Sequence, residues 1–292
     1  MTHKSGYVNI IGNPNVGKST LINKLVGEKL SIITSKSQTT RHRILAIINE
    51  KDVQIIFSDT PGIIKTNYKL QKNMMNFVNS AFEDADILLY VVEVGHYKLK
   101  DDSFSDKLKK FNKPILILIN KIDTSSQEIV NRDIIAWNKE FPNSHVYPIS
   151  ALNNFNLDLV LNQIKELLPL SPPYFSKDTL TDKSERFFVS EIIREKILKY
   201  YSEEIPYSVE VEIENFKELE NIINISTIIY VVRESQKGII IGHKGRSLKK
   251  IGSLARRDLE NFLGKKIYLE MKVKVSKDWR NNDKQLKRFG YI

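Results

Sequence analysis

The sequence contains no cysteine among its 292 residues. Disulfide bonds, cysteine-ligated metal centres and thiol catalysis are therefore excluded. The five histidines are scattered, so a histidine-rich metal site is not expected. The apolar runs Ile87–Val92 and Ile115–Ile119 are far shorter than the roughly 20 residues that span a bilayer. The first residues also lack the apolar core of a secretory signal. We expect a cytoplasmic protein of two domains.

The positive charge is concentrated at one end of the chain. Lysine and arginine number 45 against 35 acidic residues, a formal net charge of +10. Residues 1–236 carry 29 basic and 30 acidic side chains, whereas residues 237–292 carry 16 and 5. Such asymmetry is typical of a region that meets a polyanion, either nucleic acid or an anionic membrane surface. A solvated basic tail would give the same count.

Strand-like segments and helical periodicities alternate over residues 1–168. The near-continuous apolar segments are typical of strands buried on both faces of a parallel sheet. We predict an α/β domain with a mostly parallel sheet and helices on both faces. The predicted strands are Tyr7–Ile11, Ile44–Asn49, Val53–Ser58, Asp86–Val92, Pro114–Asn120 and His145–Ser150, and the predicted helices are Lys18–Val26, Leu70–Glu83, Glu128–Phe141 and Leu157–Leu168.

The pattern changes after residue 168. Three prolines and several small polar residues break both periodicities over residues 169–185, which predicts an interdomain linker. Residues 186–276 then favour a smaller α+β domain, and residues 277–292 a basic C-terminal tail. The elements predicted for the second domain are helix Arg186–Glu203, strands Tyr207–Phe216 and Asn224–Val232, helix Ser247–Phe262 and strand Lys266–Lys274.

A phosphate-binding loop follows the first predicted strand and opens the first predicted helix. Its glycines let backbone N–H groups face phosphate oxygens, and the helix N-terminus adds its positive dipole end. The ammonium of Lys18 can reach the β- and γ-phosphates, and the Ser19 hydroxyl can ligate Mg²⁺. The loop consists of Gly12, Asn13, Pro14, Asn15, Val16, Gly17, Lys18, Ser19 and Thr20.

A second short motif ends the strand Val53–Ser58. It consists of Asp59, Thr60, Pro61 and Gly62. An aspartate at a strand end can hold Mg²⁺ through water, and the backbone N–H of Gly62 can contact a γ-phosphate. Alone the motif is also an ordinary turn, but its place after a phosphate-binding loop favours a nucleotide site.

Asn120, Lys121 and Asp123 end the buried strand Ile115–Ile119 and identify the base. The Asp123 carboxylate offers two acceptors to the N1–H and N2–H₂ donors of guanine, and adenine would leave it unpaired. The aliphatic stem of Lys121 can cover the flat base. Ser150, Ala151 and Leu152 end the following strand, where a backbone N–H could meet the guanine O6. The predicted ligand is a guanine nucleotide.

These motifs, in this order, resemble the translation-factor-related GTPases. Between the first two lie residues 37–43, Ser-Gln-Thr-Thr-Arg-His-Arg, which are similar to a switch I segment. The resemblance implies that Thr39 or Thr40 completes the Mg²⁺ shell, and related patterns favour Thr40. Lys18, Thr40 and Gly62 are then the candidate catalytic residues, with Ser19, Thr40 and Asp59 as metal ligands. The alternative is an exposed polar loop.

The predicted hydrolytic site departs from that of the Ras-like proteins. Ile63 stands where those proteins carry a glutamine that orients water, and neither Ile63 nor Ile64 can donate such a hydrogen bond. We therefore expect slow hydrolysis unless an ion or a partner helps. Asn15 matches an asparagine that helps hold a potassium ion in relatives, so K⁺ is a candidate cofactor beside Mg²⁺.

A Gly-X-X-Gly loop with basic surroundings marks the second domain. Such a loop lets the backbone approach a sugar-phosphate chain while neighbouring apolar residues form a groove for bases. The arrangement resembles a KH domain of type II. The RNA-binding candidates are Lys237, Ile239, Ile241, Gly242, His243, Lys244, Gly245, Arg246, Lys249 and Lys250.

GTPase motifs followed by a KH domain resemble one family, the Era GTPases, over nearly the whole chain. The shared segments include residues 12–19, residues 38–43, Ile205–Val209 and the ending near Trp279. The resemblance implies a GTP-dependent factor that assists assembly of the small ribosomal subunit and binds near the 3′ end of its ribosomal RNA. Some members of that family also associate peripherally with the inner membrane. We expect a monomer.

Two other functions fit the same residues. An RNA-binding protein could use GTP only as a structural ligand, and multiple-turnover phosphate release would separate that from an enzyme. A membrane-surface GTPase could place its basic end on anionic lipid. The glycine pair speaks against lipid as the sole partner, because attraction to lipid needs charge but no glycine.

Overall fold

The computed structural model describes residues 2–96 and 102–292. They form two compact units, each described below by itself. The first unit comprises Met1–Ser31, Thr40–Lys65 and Met74–Asp182, and the second comprises Ile32–Thr39, Thr66–Asn73 and Lys183–Ile292. The second unit therefore includes two short segments from the N-terminal half of the chain.

The first unit is an α/β structure whose elements follow the predicted alternation. Its sheet has the order β2-β3-β1-β4-β5-β6, where only β2 runs antiparallel to its neighbour. In chain order the elements are β1 (Lys4–Ile11), α1 (Lys18–Val26), β2 (Ile44–Asn49), β3 (Val53–Asp59), α2 (Lys69–Asp84), β4 (Ile87–Glu93), α3 (Asp102–Lys109), β5 (Ile115–Asn120), α4 (Gln127–Glu140), β6 (His145–Pro148) and α5 (Leu157–Leu167).

The topology of this sheet gathers the nucleotide motifs. The central strands β4 and β5 are buried along nearly their whole length, as expected for a parallel sheet covered on both faces. The carboxyl ends of parallel strands meet at one edge of such a sheet, where ligands bind. The phosphate-binding loop follows β1, Asp59 and Asn120 are the last residues of β3 and β5, and Ser150 lies just after β6, all at that edge.

Residues 169–182 lie along the first unit, within the segment 169–185 that the sequence predicts to be an interdomain linker. Ile47 of the edge strand β2 donates its N–H to the Leu180 carbonyl (2.8 Å), and Thr181 donates to the Leu45 carbonyl (2.7 Å). The buried amide of Gln54 bonds the Phe175 carbonyl (2.8 Å). We call residues 169–182 the edge strap, because they satisfy backbone groups that an edge strand otherwise leaves open.

The second unit is an α+β structure around a three-stranded sheet of order β7-β8-β9. Strand β7 runs antiparallel and β9 parallel to the central β8. The elements are α6 (Glu185–Tyr200), α7 (Ile205–Ser208), β7 (Glu210–Glu218), β8 (Ile222–Val231), α8 (Glu234–Ile241), α9 (Arg246–Leu263), β9 (Lys266–Val275) and α10 (Asp283–Arg288).

Local sequence sets the ends of these helices. The Ser184 side chain accepts a hydrogen bond from the Phe187 N–H and caps α6, and Asn282 caps α10 through the Gln285 N–H. Helix α9 lies between Gly245 (φ 76°) and Gly264 (φ 67°), both in the left-handed conformation that glycine adopts without strain. Its buried residues Ile251, Ala255 and Leu259 recur at helical spacing and face the core.

Two features of the second unit correct the sequence analysis. Residues 234–241 form helix α8, whereas no helix or strand was predicted for them. Residues 277–292 are also not a free basic tail: Trp279 and Leu286 are completely buried and Tyr291 nearly so. The Trp279 indole N–H donates to the Ser208 carbonyl (3.0 Å), so this segment is part of the folded core.

Candidate functional site

The phosphate-binding loop is held by close backbone contacts. Gly12 has φ 152°, and a Cβ there would lie 2.2 Å from the Val91 carbonyl oxygen. A Cβ on Gly17 would lie 2.2 Å from the Asn120 side-chain nitrogen. Asn120 in turn donates to the Val16 carbonyl (2.8 Å) and accepts from the Ala151 N–H (2.9 Å). Asn120 thereby ties the loop to the segment predicted to face the base.

Lys18 and Asp59 are both buried at this site. The Lys18 ammonium donates to the carbonyl oxygens of Gly12 (3.1 Å) and Asn13 (2.9 Å). Burial lowers the pKa of Lys18 to about 8, and the charge of Asp59 opposes that change. Burial raises the pKa of Asp59, offset in part by hydroxyl hydrogen bonds and by Lys18. Two buried charges of this kind fit a site completed by a phosphate and a cation.

The predicted metal ligands meet at one point. Ser19 Oγ lies 2.8 Å from Asp59 Oδ2 and 2.9 Å from Thr40 Oγ1, and Thr40 Oγ1 lies 3.4 Å from the same carboxylate oxygen. Within the described residues, the buried Asp59 Oδ1 has no hydrogen-bond partner. Hydroxyl and carboxylate oxygens around an unpaired carboxylate oxygen are a donor set that fits Mg²⁺.

The hydroxyl of the neighbouring threonine, Thr39, bonds other residues. Thr39 Oγ1 lies 2.6 Å from the Lys36 carbonyl and 2.6 Å from Thr34 Oγ1. The geometry therefore favours Thr40 between the two alternatives that the sequence left open. The segment that contains Thr39 has no regular secondary structure.

Gly62 approaches the phosphate-binding loop closely. A Cβ on Gly62 would lie 2.7 Å from the Pro14 nitrogen, and the N–H of the next residue, Ile63, donates to the Gly12 carbonyl (3.1 Å). The Thr60 hydroxyl donates to the Ile10 carbonyl (2.6 Å). The Ile63 side chain packs on the core cluster of the first unit, which gives it a structural role.

Asp123 and Lys121 of the guanine motif each contact a neighbouring side chain. Asp123 is exposed, and its Oδ1 accepts a hydrogen bond from the Ser150 hydroxyl (2.5 Å). Lys121 has a left-handed backbone (φ 66°) and forms an ion pair with Glu93 (3.1 Å). Leu152, the last of the predicted base-binding residues, is 69% exposed.

The Gly-X-X-Gly loop connects α8 to α9 in the second unit. A Cβ on Gly242 would lie 2.3 Å from Ser247 Oγ, whereas a Cβ on Gly245 would meet open space. His243, Lys244 and Arg246 are exposed. The loop therefore presents backbone and positive charge to solvent.

A cavity lies beside this loop, where the sequence predicted a groove formed by neighbouring apolar residues. It has a volume of about 420 Å³ and lies between α9 and β9. Ile240 is buried in the core and Ile241 packs against it, while Ile239 is 48% exposed. The lining residues are Gly245, Leu248, Lys249, Gly252, Ser253, Arg256, Tyr268, Leu269 and Met271.

The residues of β9 that line the cavity were not predicted from the sequence, because the packing of a helix against a strand distant in the chain leaves no local pattern. The one available signal was Tyr268, an aromatic residue at an outward position of an alternating strand, which is 60% exposed. On the helix side of the cavity, Gly252 of α9 keeps the space open. A Cβ there would lie 2.7 Å from Met271 Cε, so a side chain at this position would narrow the cavity.

Two groups of basic residues in the C-terminal region differ in their ion pairing. One group pairs with the acidic strand β7: Arg288 binds Glu212 (2.6 Å) and Lys265 binds Glu218 (2.5 Å). The other group borders the loop and α9 and forms no ion pair among the described residues. It consists of Lys237, Lys244, Arg246 and Lys249.

The first unit has the fold and the motifs of a P-loop GTPase, and the second has those of a KH domain. A family model described as "50S ribosome-binding GTPase" matches residues 7–121, and a model described as "KH domain" matches residues 204–280. GTPase Era of Alkaliphilus metalliredigens is 44% identical, with 100% of both chains covered. GTPase Era of Staphylococcus epidermidis is 42% identical, covering 99% of this chain and 98% of that one.

Solved structures agree over the same length. A crystal structure of Era in complex with MgGDPNP and nucleotides 1506–1542 of 16S ribosomal RNA matches with TM-score 0.95, 40% identity and 99% of both chains covered. A single-residue variant of Aquifex aeolicus Era bound to GDP·AlF4⁻ matches with TM-score 0.94, 41% identity and 99% of both chains. The chain belongs to the Era family of GTPases. Its reaction is the hydrolysis of GTP to GDP and phosphate.

Proposed function

We propose that the protein is a GTP-driven switch that binds single-stranded RNA at the 3′ region of small-subunit ribosomal RNA and assists assembly of that subunit. The observation that carries the RNA part is the exposed Gly242–Gly245 loop beside the α9–β9 cavity, bordered by cations that form no ion pair within the described part of the chain. The relative solved with nucleotides 1506–1542 of 16S ribosomal RNA supports the choice of RNA.

At the GTP site, each role follows from position. Lys18 neutralises the β- and γ-phosphates, and the Gly62 N–H contacts the γ-phosphate. Ser19 and Thr40 would ligate Mg²⁺, with Asp59 holding it through water. When bound, the ion offsets charge that develops on the phosphate oxygens. Asn120 and Ala151 order the base pocket, and Asp123 pairs with the guanine donors.

At the RNA site, the basic side chains and the shape of the loop and cavity make separate contributions to binding. Lysine and arginine side chains attract phosphates at a strength that falls with salt and carries no sequence information. The glycine loop lets the sugar-phosphate backbone approach, so that bases can enter the apolar cavity. Tyr268 can stack on a base, a contact worth roughly 1–3 kcal/mol. Leu248 and Met271 form the apolar lining.

The test is an RNA-binding titration at several salt concentrations with Gly245→Asp and a matched control, Gly264→Asp. Both glycines are left-handed, cap an end of α9 and face open space, so the two substitutions impose the same backbone strain. We expect Gly245→Asp to reduce RNA affinity at least tenfold at low and high salt, because its side chain occupies space that the sugar-phosphate backbone must approach, an effect that salt does not screen. The added negative charge weakens binding further at low salt. Gly264→Asp should bind RNA nearly as the wild type does. Equal affinities for the two folded variants would contradict the KH assignment.

We propose K⁺ as a second ion at the GTP site. One support is Asn15, which is exposed in the phosphate-binding loop and has a left-handed backbone (φ 64°). The other is that the Ile63 side chain packs on the core cluster and so supplies no group that could orient water. Hydrolysis should be faster in potassium than in sodium chloride at equal ionic strength. Equal rates would remove K⁺ from the cofactors.

We further propose that the protein is a monomer that contacts anionic membranes only peripherally. No helix within residues 2–96 and 102–292 has the length and apolar character needed to cross a bilayer. The basic group around the Gly-X-X-Gly loop is the support for a surface contact. Sedimentation with anionic vesicles, with and without competing RNA, tests that contact, and sedimentation equilibrium tests the oligomeric state.

A further inference from the structure

Helix α6 of the second unit is buried on nearly all sides, and some of its buried side chains are charged. Arg194 is 1% exposed, Glu195 is completely buried and Glu191 is 6% exposed. Burying charges is costly unless they are paired and hydrogen-bonded. Apolar residues of similar volume often give equal or better stability. Stability alone therefore does not explain why charged residues occupy these buried positions.

Arg194 contacts the segment Ile32–Thr39, which belongs to the same unit. Its Nε and Nη2 form a two-pronged pair with the Glu191 carboxylate (2.7 and 2.6 Å). The guanidinium is thereby oriented so that Nη2 also donates to the Thr39 carbonyl, and Nη1 lies 3.5 Å from the Gln38 carbonyl. One planar fork thus contacts two consecutive backbone carbonyls.

Other side chains of the unit hold the same segment. The Ile33 N–H lies 3.4 Å from Glu195 Oε1, which also accepts from Lys199 (2.9 Å). Ser37 Oγ lies 3.4 Å from the Tyr207 hydroxyl. Residues 32–39 are therefore held by polar contacts with Glu195 and Tyr207 as well as by Arg194.

The Thr39 carbonyl is one peptide bond away from Thr40. A peptide group is planar, so the Thr39 carbonyl oxygen shares a plane with the nitrogen and Cα of Thr40. A donor that fixes this oxygen also fixes the backbone from which the Thr40 side chain extends. Thr40 Oγ1 then lies within 2.9 Å of Ser19 Oγ, at the predicted metal position.

We propose that Arg194 is a positioning residue for the GTPase reaction, which orients the backbone at Thr39 so that Thr40 reaches the metal position. Glu191 orients Arg194, and the pair acts through the peptide bond. This inference rests on the proposed role of Thr40 as a metal ligand. It assigns to a helix of the RNA-binding unit a part in discriminating GTP from GDP.

Two variants separate positioning from stability. Arg194→Lys keeps a positive charge beside Glu191, but an ammonium lacks the planar fork that reaches both prongs of Glu191 and the carbonyls. The double variant Glu191→Gln with Arg194→Met removes both members of the ion pair, so neither charge is left buried without the other. Arg257→Met on α9 is the matched control, because its guanidinium side chain is 73% exposed.

The measurements are the affinities for GDP and for GDPNP in the presence of Mg²⁺, and amide hydrogen exchange of residues 32–40 in both complexes. We expect both Arg194 variants to bind GDP as the wild type does and to bind GDPNP more weakly, by about tenfold or more, the scale of one lost charge-assisted hydrogen bond. Exchange protection of residues 32–40 in the GDPNP complex should fall. Arg257→Met should match the wild type in all three measurements.

Thr40→Ala tests the proposed role of Thr40 as a metal ligand, on which this inference rests. If Thr40→Ala loses the preference for GDPNP while the folded double variant keeps both that preference and its exchange protection, the role of Arg194 is wrong. If Thr40→Ala itself binds GDPNP as the wild type does, the proposed metal ligand is wrong and the inference fails with it.

Discussion

Asp123 is placed to read the base by hydrogen bonding. Its Oδ1 accepts from Ser150 (2.5 Å), an interaction that the amide oxygen of asparagine can keep. Asp123→Asn should therefore fold normally but present an N–H₂ donor where guanine also carries a donor. We expect GTP affinity to fall by about a hundredfold or more, and preference to shift toward xanthine nucleotides, whose O2 accepts that donor.

Competition binding with GTP, XTP and ATP checks this prediction. The wild type should reject ATP, because the adenine ring lacks both donors. A wild-type protein that bound ATP and GTP equally would show that Asp123 does not select the base.

Ile63 occupies the position of a water-orienting glutamine in other GTPases, but its side chain packs on the core cluster. Ile63→Ala should cost stability, about 2 kcal/mol for a partly buried site, while turnover at saturating GTP falls only slightly. Lys18→Ala should abolish nucleotide binding, because Lys18 is the buried cation of the phosphate site. Phosphate release and urea unfolding on the same preparations measure the two effects. Loss of turnover in a stable, GTP-bound Ile63→Ala protein would require a different hydrolytic site.

At the scale of elements, the edge strap depends on one buried side chain. Gln54 donates to the Phe175 carbonyl (2.8 Å) and accepts from the N–H groups of Tyr174 (2.7 Å) and Phe175 (3.0 Å). Gln54→Leu should lower the free energy of unfolding by about 3 kcal/mol, because it removes three hydrogen bonds to the backbone of Tyr174 and Phe175 at once.

Gln127→Leu is the control for this change. Gln127 is exposed on α4 and bonds a side chain one turn away, so its loss should change stability by less than about 0.5 kcal/mol. Urea unfolding of both variants makes the comparison. A Gln54→Leu protein as stable as the control would mean that the strap is held by its other contacts.

At the scale of the whole molecule, the C-terminal segment is structural as well as basic. Trp279 and Leu286 are completely buried, and the Tyr291 hydroxyl donates to buried Glu210 (2.7 Å). Truncation after residue 276 should therefore unfold the second unit, since loss of one such Trp alone typically costs about 3–5 kcal/mol. The first unit should keep GDP binding, whereas GDPNP binding should weaken, because Arg194 can no longer hold the Thr39 carbonyl.

The control replaces the exposed lysines Lys284 and Lys287 by glutamine in the full-length chain. This change removes charge but no buried contact, so we expect unchanged stability and a smaller salt dependence of RNA binding. Far-ultraviolet circular dichroism and urea unfolding follow the fold of both variants. A truncated protein with a fully folded second unit would restore the simpler description of residues 277–292 as a tail.

Much of this arrangement could be predicted from sequence where the controlling interactions are local. The phosphate-binding loop, Asp59 and the Asn120–Asp123 motif were recognisable because each must follow a strand directly. Helix α8 was missed because a glycine and three isoleucines are poor local signals for a helix. There the core decides, since the helix buries Ile240 and Gln236.

The amino-acid sequence by itself determined the order of elements, the guanine motif and the excess of positive charge, because periodicity, spacing and composition are properties of short stretches. Tertiary structure decided which cations border the Gly-X-X-Gly loop and which neutralise β7, which threonine meets Asp59, and that Arg194 lies beside the Thr39 carbonyl 155 positions earlier in the chain. Those outcomes depend on pairing between distant segments. Their free energies come from burial and hydrogen bonding in the folded chain, which no local pattern records.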